Sequence, residues 1–81
     1  MEKMSYEALV HELSYGRELE FEYGGGKFAV SLISSEERYF TVYAHQVSVR
    51  FSSLELLLSQ VTIGGKELKD IWPEVSEWVL F

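Results

Sequence analysis

The chain has 81 residues, 47% of them hydrophobic and 25% charged, and its 13 acidic against 7 basic side chains give a net charge of −6. That length holds one hydrophobic core, so residues 1–81 are expected to form a single domain, and the composition excludes intrinsic disorder. Without cysteine there are no disulfide staples and no thiolate metal centres, and the acidity opposes direct binding to nucleic-acid phosphates.

Met1-Glu2-Lys3-Met4-Ser5 lacks the apolar run of a secretory leader, and no stretch approaches the roughly 20 apolar residues of a membrane span. A cytoplasmic protein with no membrane association is the expectation. Ser5 is placed to cap a first helix, with Met4 and Leu9 at staple positions. Tyr6, Leu9, Val10 and Leu13 then follow the i, i+3, i+4, i+7 spacing of one buried helical face. Gly16 supplies the stop, because glycine reaches the left-handed C-cap conformation without steric cost.

From Arg17 the period becomes two. Leu19, Phe21 and Tyr23 alternate with Glu18, Glu20 and Glu22, the pattern of a strand with one wet face. Gly24-Gly25-Gly26 makes a turn, and Phe28, Val30 and Leu32 are the inward face of the returning strand. A polar turn, Ser34 to Arg38, leads to a third strand over Tyr39–Ala44. Its sides are Phe40, Val42 and Ala44 against Tyr39, Thr41 and Tyr43, so neither is polar and something, from the chain itself or from a partner, is expected to pack against them. The apolar parity then shifts, requiring a bend, bulge or loop near His45-Gln46 before a short fourth strand, Val47–Phe51.

Ser52-Ser53-Leu54-Glu55 reads as a capping box with Ser52 as N-cap and Phe51 and Leu56 as its staple. Leu54, Leu57, Leu58 and Val61 form the buried stripe of the second helix. Gly64-Gly65 turns the chain into a short helix over Lys66–Trp72, ended by Pro73. Val75 to Phe81 has strand composition. The fold class is therefore α+β: an N-terminal helix, an antiparallel meander of three to four strands, two short helices and a candidate C-terminal strand.

The runs Gly16-Arg17-Glu18-Leu19-Glu20-Phe21-Glu22-Tyr23, Gly26-Lys27 and Gly65-Lys66-Glu67-Leu68-Lys69-Asp70-Ile71-Trp72 give the chain a family look. It resembles small uncharacterised α+β proteins of Gram-positive bacteria and their phages. The resemblance implies a helix, a strand meander and a closing short helix, and carries no catalytic residue across.

Several chemistries can be tested by spacing. A phosphate loop needs glycine, four residues, then Gly-Lys-Ser/Thr; Phe21 and Phe28 break this around Gly26-Lys27, as Gln60 and Glu67 do around Gly65-Lys66. His11 and His45 show no metal-ligand spacing, and His11 reads as a solvated helix residue near Glu7 at i, i+4. The serines lack a nucleophile elbow, and a core this small leaves little room for an enclosed pocket. No cofactor, metal or enzymatic activity is expected.

Two constellations remain. Glu18, Glu20 and Glu22 project from one strand face, either as the wet side of an edge strand that discourages aggregation or as an acidic surface for a basic partner. Tyr39 and Tyr43, with Trp72 and Trp78, exceed what a thin sheet needs inside and suit an interface as well as a covered sheet. The leading reading is a small acidic, non-enzymatic protein-binding module, in its sharpest form a phage or mobile-element inhibitor that occludes the basic, nucleic-acid-binding surface of a host protein such as a defence nuclease. Its rivals are a small-molecule-binding or catalytic domain floored by the sheet aromatics, and a homodimer joined through Trp78 to Phe81.

Overall fold

The computed structural model describes residues 4–81; Met1-Glu2-Lys3, part of the segment read for a leader, lies outside them. Helix α1, Tyr6–Ser14, begins as its sequence requires, with the Ser5 hydroxyl accepting the Ala8 N–H at 3.2 Å. Leu9 and Leu13 are buried, while Tyr6 and Val10 lie half-buried at the flanks of the stripe. Gly16, at φ 94°, closes the helix: its N–H donates to the Leu13 carbonyl at 3.0 Å and that of Arg17 to the Glu12 carbonyl at 3.2 Å. These are the two bonds of a Schellman cap.

Five strands follow: β1 Leu19–Tyr23, β2 Gly26–Leu32, β3 Arg38–Val42, β4 Val47–Phe51 and, after the remaining helices, β5 Glu77–Leu80. Every pairing is antiparallel, in the order β4-β3-β2-β1-β5. Gly24 and Gly25, at φ 59° and 81°, form the two-residue turn alone, since double left-handed geometry matches the twist of a hairpin; Gly26 already pairs with Tyr23. The third strand starts one residue earlier than expected and stops at Val42. Beyond it, Tyr43–His45 forms a 3₁₀ turn and Gln46 takes a left-handed conformation, φ 52° and ψ 42°. Val42 then pairs with Val47, so a four-residue loop accounts for the parity shift.

Helix α2, Leu54–Gln60, is capped by Ser53, whose hydroxyl accepts the Leu56 N–H at 3.1 Å. The expected cap, Ser52, is used otherwise: Phe51 stays extended against Arg38, so Ser52 must turn the chain off the strand. Helix α3 is only Leu68–Ile71, shorter than the expected Lys66–Trp72, and passes into a 3₁₀ turn, Trp72–Glu74, that accommodates Pro73 near its start. The connection from α2 to α3 carries the chain from β4 across to the far side of the sheet, where β5 docks on β1. β1 is therefore flanked on both sides and is not an edge strand.

One face of the sheet supplies Leu19, Phe21, Phe28, Val30 and Phe40 to a core completed by Leu9, Leu13, Leu57, Leu68, Ile71 and Trp72 from the helical layer. The Phe28 ring stacks between Phe21 and Phe40, with centroids 5.4 and 5.9 Å away. Trp72 is buried, and its Nε1–H donates to the Met4 carbonyl at 2.7 Å, tying the start of the chain to its last helical segment. Within the chain only one face of β3 is covered: Phe40 is inside, while no described element packs over Tyr39, Thr41 and Tyr43.

Arg38, read from the sequence as part of a polar turn, is only 2% exposed. One guanidinium nitrogen donates to the carbonyls of Ser34, Ser35 and Glu37 at 3.2 to 3.3 Å, and the other to that of Leu13 at 3.1 Å. The side chain thereby joins the negative end of α1 to the 34–37 turn, a favourable place for a cation. Its Nε makes no hydrogen bond.

Candidate functional site

The uncovered face of the sheet can be read as three rows running across the strands, because residues paired in register share a face. The first row runs Arg50, Tyr39, Ser31 and Glu18; the second, Ser48, Thr41, Ala29, Glu20 and Val79; the third, Lys27, Glu22 and Glu77, with Tyr43 one step beyond the end of β3. Ala29 is 3% exposed at the centre of this open face. Longer neighbours close over it, Tyr43 foremost, since its hydroxyl reaches across β2 to donate to Glu20 Oε2 at 3.0 Å.

The three glutamates anticipated as one ladder have three different roles. Glu18 finishes the sheet: its Oε2 accepts the Leu32 N–H at 2.8 Å, and its backbone exchanges hydrogen bonds with Phe81. Glu20 is engaged from two sides, by the Tyr43 hydroxyl and by Lys27 Nζ, 3.5 Å from Oε1. Glu22 is exposed, opposite Lys27 on β2 and Glu77 on β5. Because Lys27 turns diagonally to Glu20, no lysine or arginine among the described residues forms an ion pair with Glu22 or Glu77.

Tyr43 joins the same cluster. Lys27 Nζ stands 5.2 Å from the Tyr43 ring centroid, a cation–π distance. The hydrogen bond to Glu20 pushes the Tyr43 phenol above its ordinary pKa, with burial and the Glu20 charge adding to the rise and Lys27 opposing it. Tyr39 lies apart, in the first row, where its neighbour Arg50 is held by an ion pair to Glu37. The structure thus brings Glu20, Glu22 and Tyr43 together and leaves Glu18 and Tyr39 outside the cluster.

Of this corner, Lys27 drew notice in the sequence only as part of Gly26-Lys27 and not as a site residue, and Glu77 was not singled out. Glu77 could have been placed on a wet face by its alternation with Trp78, but which sheet edge the tail joins is a long-range matter. A shallow hollow of about 110 Å³ lies at the corner, among Glu20, Glu22, Lys27, Glu77 and Val79. A second, of about 320 Å³, lies between α1 and α2, lined by Val10, Leu54 and Leu58 with Ser14 and Arg38. Neither is lined by Tyr39, Tyr43 or His45.

The histidines stay separate, His11 meeting Tyr15 edge-on at 4.7 Å and His45 exposed in the β3–β4 loop. Among the described residues no group of three or more histidine, aspartate or glutamate side chains is arranged to hold a metal ion, and no helix is long and apolar enough to cross a membrane. No family model, curated protein or solved structure matches the chain.

Proposed function

We propose that the protein is a small acidic binding module whose open sheet face engages a basic protein surface through the corner formed by Glu20, Glu22 and Glu77. One observation carries this reading: Glu22 and Glu77 stand directly opposite each other, and among the described residues no lysine or arginine forms an ion pair with either. Like charges so placed oppose folding, and a basic partner would relieve the repulsion on binding. Lys27 and Tyr43 hold Glu20 beside them. Exposed Tyr43 and Val79 supply apolar and aromatic area at the corner, and exposed Tyr39 and Phe81 extend it along the first row, the composition expected of contact surfaces.

The hollow at this corner is smaller than the roughly 300–1,000 Å³ typical of small-molecule sites. It suits the end of a single lysine or arginine side chain. The sharper form of the proposal, a phage or mobile-element inhibitor covering the nucleic-acid-binding surface of a host protein such as a nuclease, draws on the net charge of −6 and on the resemblance noted above. The test is affinity capture from host lysate, then titration of the captured protein with wild-type chain and with a Glu22→Lys/Glu77→Lys variant. The expected result is binding that weakens with salt, falls at least about tenfold on charge reversal and competes with DNA or RNA for the partner. Binding indifferent to both salt and reversal would refute the mechanism.

A further inference from the structure

The opposite end of the sheet has a different character. β4 is an edge with no described strand beyond it, and Val47 and Val49 point toward the helical side yet remain 47% and 46% exposed. The helical layer stops short of them. α2 packs over β3 and β4, and Leu56, on the flank of α2 away from Leu54 and Leu58, is also exposed at 40%. The strand itself, Val47-Ser48-Val49-Arg50-Phe51, has no proline, bulge or inward charge, the devices that keep sheet edges from pairing.

Charge identifies what fits there. From Arg38 to Leu54 the sequence contains no aspartate or glutamate; all 13 acidic residues lie elsewhere. Two copies of a chain with net charge −6 repel one another over most of their surface, and the β3–β4 hairpin is where they can approach without bringing carboxylates together. A basic partner, in contrast, gains nothing at this end. Arg50, the one charged residue of β4, points to the open face and is neutralised by Glu37.

We infer that β4 is a self-association edge, pairing antiparallel with β4 of a second copy to make a continuous ten-stranded sheet. A twofold axis normal to the sheet keeps each residue on its own face, so it must pass through a residue position and not between two. Centred on Val49, it sets Val49 against its own copy, Val47 against Phe51 and Ser48 against Arg50. Centred on Arg50, it would oppose two guanidinium groups. The interface is isologous and closes on itself, and it leaves the two acidic corners at the far ends, about 40 Å apart at the usual strand spacing.

The absence of native cysteine allows a direct test. Directly opposed residues of an antiparallel pair have Cα atoms about 4.5–5.5 Å apart, within disulfide reach. Under mild oxidation Val49→Cys should form a covalent dimer, and Val79→Cys, on β5, should not. Sedimentation of the unmodified chain should move from a mass of 9.4 kDa toward twice that value between about 1 μM and 1 mM, the range of a modest edge contact. Val49→Lys, which opposes two ammonium groups at the axis, should raise the dimer dissociation constant at least about tenfold. A monomeric mass throughout, cross-linking at Val79→Cys in place of Val49→Cys, or unchanged association of Val49→Lys overturns the proposal. Glu22→Gln/Glu77→Gln should leave this mass shift intact, so failure here is separable from failure of the partner-binding reading.

Discussion

Glu77 faces Glu22 across the β1–β5 ladder, so Glu77→Lys exchanges a cross-strand repulsion for an attraction. Cross-strand charge pairs contribute roughly 0.2–1 kcal/mol in either sense, and both side chains are exposed, which favours the lower half of that range. Changing the sign counts both the repulsion lost and the attraction gained, giving about 0.4–1.2 kcal/mol of added stability. For a domain of this size about 1 kcal/mol corresponds to a 4–8 °C change in Tm, so the variant should melt roughly 2–10 °C higher. Thermal unfolding followed by circular dichroism at low salt and at 1 M salt checks this, because the Debye length falls from about 10 Å at 0.1 M to about 3 Å at 1 M and most of the gain should disappear. The same substitution in a Glu22→Gln background should stabilise much less, isolating the pair from the change in net charge. An unchanged or lower Tm, or an equal gain in both backgrounds, would refute the idea that this corner is kept at a cost to folding.

Arg38→Met keeps most of the side-chain volume but removes four hydrogen bonds to carbonyls. Charged hydrogen bonds contribute about 1.5–3 kcal/mol each, and relief from burying an ion returns part of the total. The expected loss is about 2–4 kcal/mol by urea denaturation, a large share of the roughly 4–12 kcal/mol typical for this length; equal or greater stability would mean that burying the ion costs more than its contacts return. Tyr43 is expected to ionise above its ordinary value of 10.0 because its hydroxyl donates to Glu20. A raised pKa stabilises the folded state fully below the unfolded value and loses that contribution as pH climbs through the folded one. Site-resolved NMR titration should therefore show Tyr43 ionising at lower pH in Glu20→Gln than in the wild-type chain, and identical titrations would discount the hydrogen bond.

Local pattern carried much of this architecture. The glutamate–hydrophobe alternation placed β1, the apolar parity after Ala44 placed β4 at its observed limits, and Gly16 marked the end of α1. Ser52 failed as the cap because its fit to the capping box was a three-residue criterion, whereas the register of Phe51 against Arg38 decided where the strand released the chain. Arg38 was misread for a similar reason: its burial depends on the C-terminal carbonyls of α1, 25 residues earlier, and nothing in Ser34-Ser35-Glu36-Glu37-Arg38 encodes that meeting. At the open face, the sequence supplied Glu20, Glu22 and Tyr43, but their grouping required β2 to place Lys27 between them and β5 to bring in Glu77.

The position of β5 also bears on how the chain survives its own synthesis. β1 pairs with residues made well after it, Leu19 with Leu80 and Glu22 with Glu77, so until β5 has been synthesised β1 has an unpartnered border. At about 5–20 residues per second that interval lasts seconds, long enough for a nascent strand to meet another chain. Glu18, Glu20 and Glu22 then act as temporary guards of that border. Once β5 docks, the same carboxylates are released to the exterior of a finished sheet, where Glu18 closes the ladder and Glu22 confronts Glu77.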